Sequence, residues 1–375
     1  MHYLDNAATT RVLPEAAEAA VHAMCEGFGN PSSLHKMGIE ASHLLEDSRK
    51  TVASALGCLP EETYFTSCGT ESTNISLRGA AHLNRHKKGR IITTEIEHAA
   101  TLNTCKQLAA EAFDVVFLAP DETGHITPAA LEQALTADTI LLSCQLVNNE
   151  IGTVQPVAEL GALLKAKAPG ALFHIDAVQG LCRVPLTPKK WNCDLMSVSG
   201  HKIGAPKGIG ALYVKKGLRL PPLMFGGGQE KGMRPGTEPL PNIAAFAKAC
   251  AIRMAHFDED FAHVAELAAY LKEQAVANLP DAAFNGEGDV PHVVNLSIPG
   301  CKSEVMLRVL EGDEVYVSSG SACSKGKQSG VLKALGLPKA RTDSAIRVSF
   351  APFNTKEDVD AFIAAAQKGV KMLRR

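Results

Sequence analysis

The chain of 375 residues carries 38 basic and 40 acidic residues, so its net charge is -2, and 46% of its residues are hydrophobic. This length predicts two domains, and the composition is that of an ordinary globular protein. Because the sequence has no basic stripe or acidic tail, we expect neither nucleic acid nor a membrane surface as a partner.

The amino terminus and the cysteines are typical of a cytoplasmic protein. The first residues do not join a basic segment to an apolar one, so we expect no secretory signal, and no apolar run has the length of a membrane span. The ten cysteines include no Cys-x-x-Cys pair, which argues against a zinc ribbon or a dithiol redox motif. We therefore expect no metal site and mostly buried, reduced thiols, with Cys323 as the exception.

Residues 60 to 215 alternate short apolar strands with helical stretches such as Thr101–Ala112 and Val157–Ala168. This alternation predicts an α/β fold with a large, mostly parallel, seven-stranded sheet that is covered by helices on both faces. Ligands of such sheets bind beyond the carboxyl ends of the strands. The strands are predicted at Thr63–Thr66, Arg90–Thr94, Val115–Leu118, Ile140–Cys144, Leu172–Ile175, Leu195–Val198 and Ala211–Val214.

A smaller α/β domain is predicted after the long helical stretch Ala244–Ala277. We expect a large domain over residues 15–245, and a small domain built from residues 1–14 and 246–375 that carries the Cys323 loop. The further elements are predicted at Val293–Ile298, Ser303–Glu311, Val315–Ser319, Ser329–Leu335, Ile346–Phe350 and Lys356–Leu373.

Lys202 follows the strand predicted at Leu195–Val198, after Ser199, Gly200 and His201. A lysine is disfavoured at the buried end of a strand, because burying an ammonium group is costly unless it is paired or neutral. Such a lysine is often a nucleophile whose neutral amine forms a Schiff base with a carbonyl. Alternatively its stem packs while its charge reaches the surface, and the segment by itself leaves both interpretations open.

Polar residues follow the other predicted strands, and each has a second, purely structural interpretation. Gly69 and Thr70 open a helix, where they form an anion site or merely cap it. Asp176, at the end of a central strand, needs a cationic partner such as a protonated pyridine nitrogen, because an unpaired buried carboxylate is costly. Asn149 could donate to a phenolate or carboxylate, or belong to a turn. His98 could stack on an aromatic ring or move protons, or be structural.

An acid, an aldehyde-capturing lysine, a phosphate cradle and ring-facing groups together describe pyridoxal phosphate. With these motifs the chain resembles the cysteine desulfurases of the NifS/IscS type, within the class V aminotransferase group of fold-type I pyridoxal-phosphate enzymes. The matching segments span nearly the whole chain: 3–10, 29–35, 65–72, 97–98, 147–152, 176–179, 199–202, 226–230 and 318–323.

The resemblance implies that Lys202 holds the cofactor covalently and that Asp176 pairs with the pyridinium nitrogen, which keeps the ring an effective electron sink. It also implies that Gln179 and Asn149 form hydrogen bonds near the ring oxygen and the substrate. His98 would stack on the ring and, with Lys202, transfer protons. The phosphate would be held by residues that open a helix or follow a strand: Gly69, Thr70, Ser199 and His201.

Three further roles follow from the resemblance. Thr237 would reach the cofactor phosphate of the neighbouring subunit, which requires a homodimer. Arg347 would clamp the carboxylate of the substrate, L-cysteine, with its planar guanidinium. Cys323 would attack the substrate sulfur and carry it as a persulfide to a sulfur-acceptor protein, for example in iron–sulfur cluster assembly. Lys325 and Lys327 would favour its thiolate.

Two departures from the family pattern stand out. Cys68 occupies a position where the family usually has glycine or alanine, and we expect it only to pack. The chain ends at Arg375, directly after the last predicted helix. Because IscS-type members carry a longer tail that docks an iron–sulfur scaffold, we expect a NifS-like or dedicated sulfur donor.

Four alternatives to a desulfurase stay open at this point. Two are enzymes of the same fold, a selenocysteine lyase and an aminotransferase, and the third is a catalytically inactive dimer. A cysteine protease that uses Cys323 is the least supported, because it leaves the cofactor residues unexplained.

Overall fold

The computed structural model describes residues 1–86, 88–320 and 328–374. The strands in these ranges are β1 (His2–Tyr3), β2 (Thr63–Thr66), β3 (Arg90–Thr94), β4 (Asp114–Leu118), β5 (Thr139–Gln145), β6 (Leu172–Asp176), β7 (Leu195–Ser199), β8 (Gly210–Val214), β9 (Ala283–Phe284), β10 (Val293–Ser297), β11 (Val315–Tyr316) and β12 (Ala345–Ser349). The α-helices are α1 (Pro14–Cys25), α2 (Lys36–Leu56), α3 (Gly69–Leu83), α4 (Ala99–Ala110), α5 (Pro128–Ala134), α6 (Val157–Lys167), α7 (Leu240–Ala255), α8 (Phe257–Asn278), α9 (Ser303–Gly312), α10 (Gly330–Ala334), α11 (Lys339–Thr342) and α12 (Lys356–Leu373). In the described ranges, the helices are too short or too polar to cross a membrane.

Seven strands form one sheet in the order β2-β8-β7-β6-β5-β3-β4. The pairs from β7 through β6, β5 and β3 to β4 are parallel, whereas β8 runs antiparallel to both of its neighbours. β5 and β7 are buried along their whole length, as expected for strands covered on both faces. The predicted α/β class and the mostly parallel seven-stranded sheet are therefore confirmed.

The strand directions bring the candidate residues that follow β2, β3, β5, β6 and β7 to one edge of the sheet. Because β2 is antiparallel to β8, it is parallel to β7, and the carboxyl ends of β2, β3, β5, β6 and β7 lie at the same edge. α3 and α4 begin a few residues beyond β2 and β3, with their N-termini toward this edge.

A second hydrophobic core joins the two ends of the chain. Leu4 packs there with Leu271 of α8, Leu296 of β10, Ile346 of β12 and Phe362 of α12. β10 pairs antiparallel with both β9 and β12, and β1 pairs parallel with β11.

The limits of the two expected domains, 1–14 and 246–375 against 15–245, stay a prediction. α7 runs through position 245, and Val331 and Leu332 of α10 pack in the core of the seven-stranded sheet.

The helical stretch predicted over 244–277 is two helices that meet at His256, whose φ is −110° and ψ is 19°. Arg253 donates to Asp260 across this break, Nη1 to Oδ2 at 2.9 Å. The apolar periodicity runs on through the break, so the sequence pattern does not reveal it. The same analysis missed α1 and α2, although Pro14 at the start of α1 and the left-handed Gly57 (φ 65°) after α2 are typical boundary residues.

Candidate active site

Ten of the twelve candidate residues line one cleft at the carboxyl edge of the sheet. The cleft, including its open mouth, encloses about 930 Å³. The ten are Gly69, Thr70, His98, Asn149, Asp176, Gln179, Ser199, His201, Lys202 and Arg347. Residues that are far apart in sequence and were selected for one ligand thus lie around one cavity.

Lys202 lies in the turn that follows β7, and its amine contacts the amino-terminal segment. Nζ donates to the carbonyl oxygens of Ala7 at 2.6 Å and Ala8 at 2.7 Å. Burial, assisted by the charges of Arg347 and Arg183, lowers the pKa of Lys202 to about 7. A large fraction of the amine is therefore neutral near pH 7, which is the form that attacks an aldehyde.

Asp176 is the last residue of β6 and is 7% exposed. Its Oδ1 accepts from the backbone N–H of Val178 at 3.0 Å, and Oδ2 has no hydrogen-bond partner within the described ranges. Burial raises the pKa of Asp176, and His98, the Val178 N–H and Lys202 lower it. A cationic ring nitrogen placed against Oδ2 would supply the partner that this carboxylate lacks.

His98 is the N-cap residue of α4. Its Nδ1 lies 3.1 Å from the backbone N–H of Ala100 and accepts from it. Since an accepting nitrogen carries no proton, the proton of the neutral ring is on Nε2. Burial lowers the pKa of His98, and the nearby Lys202 adds to this effect while Asp176 opposes it. The ring is thus suited to stack on a cofactor or to exchange a proton at Nε2.

Ser199, Gly69, Thr70 and His201 line the cleft with groups to which an anion could bind. The buried Oγ of Ser199 has no hydrogen-bond partner in the described part of the chain. The N–H groups of Gly69 and Thr70 lie in the first turn of α3, where backbone donors lack intrahelical acceptors. A Cβ on Gly69 would lie 2.7 Å from Cγ2 of Val178, so the close approach requires glycine. Burial lowers the pKa of His201 to about 4, which leaves its ring neutral.

The two candidate carboxamides differ in how much of their hydrogen-bonding capacity is already used. Gln179 is held at both ends: Nε2 donates to the carbonyl of Ala7 at 2.9 Å, and Oε1 accepts from Nη1 of Arg183 at 2.5 Å. Asn149 lines the cleft with a side chain that makes no hydrogen bond to any described residue. Asn149 is therefore the carboxamide that is available to a ligand.

Arg347, in β12, reaches the cleft while bound to the protein itself. Nη1 donates to the carbonyl of Asn149 at 2.8 Å and Nη2 to Oδ1 of Asp5 at 2.8 Å. The buried Nε has no hydrogen-bond partner among the described residues. The guanidinium lines the same cleft as Asn149, and the two residues could bind a carboxylate together.

Several residues of the site were missed by the sequence analysis. Asp5, Ala7 and Ala8 belong to a segment that matched the family but received no role. Arg183 follows Gln179 by four residues, and this spacing is the only feature of the sequence that indicates a contact between them. Cys68, which we expected only to pack, lines the cleft.

One candidate residue does not line this cleft, and another cannot be placed in the structure. Thr237 is exposed, lies before α7 and does not line the cavity of its own chain. Cys323 lies outside the described residues.

The residues of the cleft fit pyridoxal phosphate in three separate respects. Lys202 presents an amine with a lowered pKa, and the unpaired Oδ2 of Asp176 suits a pyridinium. The orphaned Oγ of Ser199, at the end of β7 and beside the first residue of α3, suits a phosphate. These groups would bind the aldehyde, ring and phosphate parts of one molecule.

Comparisons with known proteins show the family and the fold of the chain. The model of a family described as Aminotransferase class-V matches residues 2–362. The cysteine desulfurase of Trichormus azollae is 40% identical over 99% of this chain and 93% of its own length. The cysteine desulfurase IscS of Methanosarcina thermophila is 41% identical over 99% of this chain and 92% of its own. A solved structure named NifS-like protein has a TM-score of 0.93 and 37% identity, covering 99% of both chains.

Proposed function

Because the chain belongs to the aminotransferase class-V family, we propose that it is a pyridoxal-phosphate-dependent cysteine desulfurase. The reaction converts L-cysteine to L-alanine and leaves the sulfur on Cys323 as a persulfide. One observation carries the proposal: the amine of Lys202, with a pKa of about 7, and the guanidinium of Arg347 line the same cleft. An amino acid whose carboxylate contacts Arg347 has its Cα near Lys202.

The residues of the cleft divide the work of binding and proton transfer. Arg347 and Asn149 orient the substrate carboxylate, and the neutral Nζ of Lys202 removes the proton from the substrate Cα. Asp176 holds the ring nitrogen in its cationic form. When bound, pyridoxal phosphate supplies an electron sink for the pair released at Cα.

Sulfur transfer needs no other reactant. The Cys323 thiolate attacks the substrate Sγ, so that an S–S bond forms and the Cβ–Sγ bond breaks. The electron pair of the broken bond stays with the carbon, which is reduced and takes up a proton to give alanine. The transferred sulfur is oxidised to the persulfide level.

The described residues before Cys323 support its role. Ser318 and Arg347 exchange two backbone hydrogen bonds, of 3.2 Å and 2.6 Å. Cys323 follows Ser318 by five residues, and an extended chain covers about 3.3–3.6 Å per residue. The covalent chain is therefore long enough to bring the thiol to the cleft that Arg347 lines.

We further propose a homodimer in which Thr237 reaches the cofactor phosphate of the partner subunit. Thr237 is exposed, and the exposed apolar side chains nearest to it in sequence are Leu223, Met224 and Phe225, the last of them 90% exposed. Leu34 is 95% exposed as well. Surfaces of this kind are typical of subunit interfaces. Mass measurement in solution tests the dimer, and a monomer with full activity would contradict it.

A sulfur-acceptor protein and a cytoplasmic location complete the proposal. A persulfide is a carrier form, so an acceptor must take the sulfur before the next turnover. Nine cysteines of the described ranges carry free thiols, which is usual in a reducing compartment.

The test of the function is to incubate the cofactor-loaded protein with L-cysteine. We expect alanine release and a persulfide on Cys323, and the loss of both in Cys323→Ser. The matched control is Cys25→Ser, since Cys25 is an exposed thiol that lies at the end of α1 and does not line the cleft. Release of alanine from L-selenocysteine only, unaffected by Cys323→Ser, would identify a selenocysteine lyase. Conversion of the cofactor to its amine form would identify an aminotransferase.

A further inference from the structure

Arg183 connects two turns at the carboxyl edge of the sheet. Its Nη1 donates to Oε1 of Gln179, in the turn after β6, at 2.5 Å. Its Nη2 donates to the backbone carbonyl of Lys202, in the turn after β7, at 2.8 Å. One planar guanidinium therefore fixes the distance between two segments that line the active-site cleft.

These contacts belong to a closed set of hydrogen bonds. Gln179 donates from Nε2 to the carbonyl of Ala7, and the same carbonyl accepts from Nζ of Lys202 at 2.6 Å. The path thus runs from Arg183 through Gln179 and Ala7 to the Lys202 amine, and returns through the Lys202 backbone. Loss of Arg183 would free both the carboxamide and the main chain that carries the lysine.

The charge of Arg183 is not neutralised locally. Within the described ranges, no carboxylate lies within 4.0 Å of its guanidinium. Burial, with the neighbouring charge of Arg253, lowers the pKa of Arg183 to about 9, so it stays cationic at neutral pH. Its charge is among the causes that lower the pKa of Lys202, after burial and Arg347.

Arg253 offers a matched comparison. Both arginines, together with Lys202, line a second cleft of about 520 Å³. Arg253 likewise donates to a backbone carbonyl, that of Ile203, at 3.2 Å. Its guanidinium is paired with Asp260 at 2.9 Å, however, and it contacts neither Gln179 nor Lys202 through a hydrogen bond.

We propose that Arg183 is a positioning residue of the desulfurase reaction, which fixes the carboxamide of Gln179 and the backbone of Lys202 relative to the cofactor. The proposal rests on the proposed function of the cleft. Arg183 acts through these two residues and does not itself line the cleft.

The test compares Arg183→Met, Arg183→Lys and Arg253→Met in the full chain loaded with pyridoxal phosphate. The readouts are kcat and KM for L-cysteine, and the pH midpoint of the absorbance of the covalent Lys202–cofactor bond. The ionisable groups that act on Lys202 from the surrounding elements are Asp5, His98, Asp176, Arg183, His201 and Arg347.

For Arg183→Met we expect kcat to fall at least ~10-fold and KM to change less than ~3-fold, because Arg347 is retained. The pH midpoint should rise by on the order of 0.5 to 1 unit, because a positive charge near the lysine nitrogen is lost. Arg183→Lys keeps the charge but cannot bridge both acceptors, so its midpoint should stay near that of wild type while kcat falls. Arg253→Met should match wild type in both readouts.

A loss of thermal stability in Arg183→Met with unchanged kcat and midpoint would overturn the proposal, because a merely structural residue behaves in this way. If Arg183→Met does not fold, an unchanged kcat in Arg183→Lys overturns it equally. If the wild-type protein releases no alanine from L-cysteine, the proposed function fails. The pH midpoints then still decide whether Arg183 acts on Lys202.

Discussion

The guanidinium of Arg347 donates from Nη2 to Oδ1 of Asp5 at 2.8 Å, although 342 positions separate the two residues. The side chain of Arg347 is 1% exposed and that of Asp5 is 22% exposed. The pair forms because Asp5 bridges to Ser349, two residues beyond Arg347 in β12. We propose that Arg347 binds the substrate carboxylate. Because Arg347 is already paired with the carboxylate of Asp5, a substrate must compete with Asp5 for the guanidinium.

Replacing Asp5 by asparagine should remove this competition. Because a neutral carboxamide binds a guanidinium less strongly than a carboxylate does, we expect KM for L-cysteine to fall by about 3-fold or more in Asp5→Asn. The substrate-free protein should lose on the order of 1–3 kcal/mol of stability, since Arg347 loses its anionic partner. Steady-state kinetics and urea unfolding measure the two effects.

Asp260→Asn is the control for Asp5→Asn, because Asp260 pairs with Arg253 and does not line the active-site cleft. It should destabilise the protein without changing KM. A raised KM in Asp5→Asn would mean that Asp5 orients Arg347 for the substrate instead of competing with it.

Because the hydroxyl of Ser199 has no hydrogen-bond partner among the described residues, its removal should weaken cofactor binding without lowering the stability of the protein. Ser199→Ala removes no hydrogen bond between described residues, so the unfolding free energy of the cofactor-free protein should change by less than about 0.5 kcal/mol. A hydrogen bond to a charged phosphate contributes about 1.5–3 kcal/mol, so the Kd for pyridoxal phosphate should rise ~10-fold to ~100-fold.

Ser197→Ala is the matched variant for Ser199→Ala, two residues earlier in β7. The Oγ of Ser197 is buried and bonds to Nε2 of His174 at 2.9 Å. Its loss should therefore lower stability and leave cofactor affinity unchanged. If Ser199→Ala behaves like Ser197→Ala, the phosphate does not contact Ser199.

The sequence predicted the large sheet and most of the cleft for a common physical reason. Short, fully buried strands such as β5 and β7 are rich in apolar residues and contain no charged ones, and a charged residue at the end of a buried strand, such as Asp176, stands out against them. Both signals are local, so a single sequence contains them.

What the sequence did not predict depends on contacts between distant segments. The pairing of Asp5 with Arg347 results from the meeting of the chain ends in the second core. The contact of Arg183 with the Lys202 backbone results from the pairing of β6 with β7. No local pattern indicates that Asp5 pairs with Arg347 or that Arg183 contacts Lys202.

The contribution of Glu97 to the stability of the folded protein should decrease as the pH rises. Its Oε1 accepts from the Gln145 N–H at 2.7 Å and from the Thr94 hydroxyl at 3.0 Å, and burial raises its pKa to about 8. The folded state holds the proton more tightly than the unfolded state, so this contribution is complete below about pH 4.5 and is lost as the pH rises through 8.

Glu97→Gln keeps an uncharged acceptor and does not titrate. The unfolding free energy of wild type minus that of Glu97→Gln should therefore fall by about 1 kcal/mol per pH unit between pH 5.5 and 7.5. Urea unfolding of the cofactor-free proteins measures the difference. A difference that is constant with pH would show that Glu97 is charged in the folded protein.

The contribution of Lys202 to stability should change with pH in the opposite direction to that of Glu97. Its pKa is lowered to about 7 from 10.5, so the unfolded state binds more protons between these values. The contribution of Lys202 to stability is present above pH 10.5 and is lost as the pH falls through 7. The unfolding free energy of the cofactor-free wild type minus that of Lys202→Met should therefore rise by about 1 kcal/mol per unit between pH 7.5 and 9. Lys207→Met, which removes an exposed amine five residues later, is the matched control. Equal slopes for the two variants would place the Lys202 amine in contact with water and remove the basis for its reaction with an aldehyde near neutral pH.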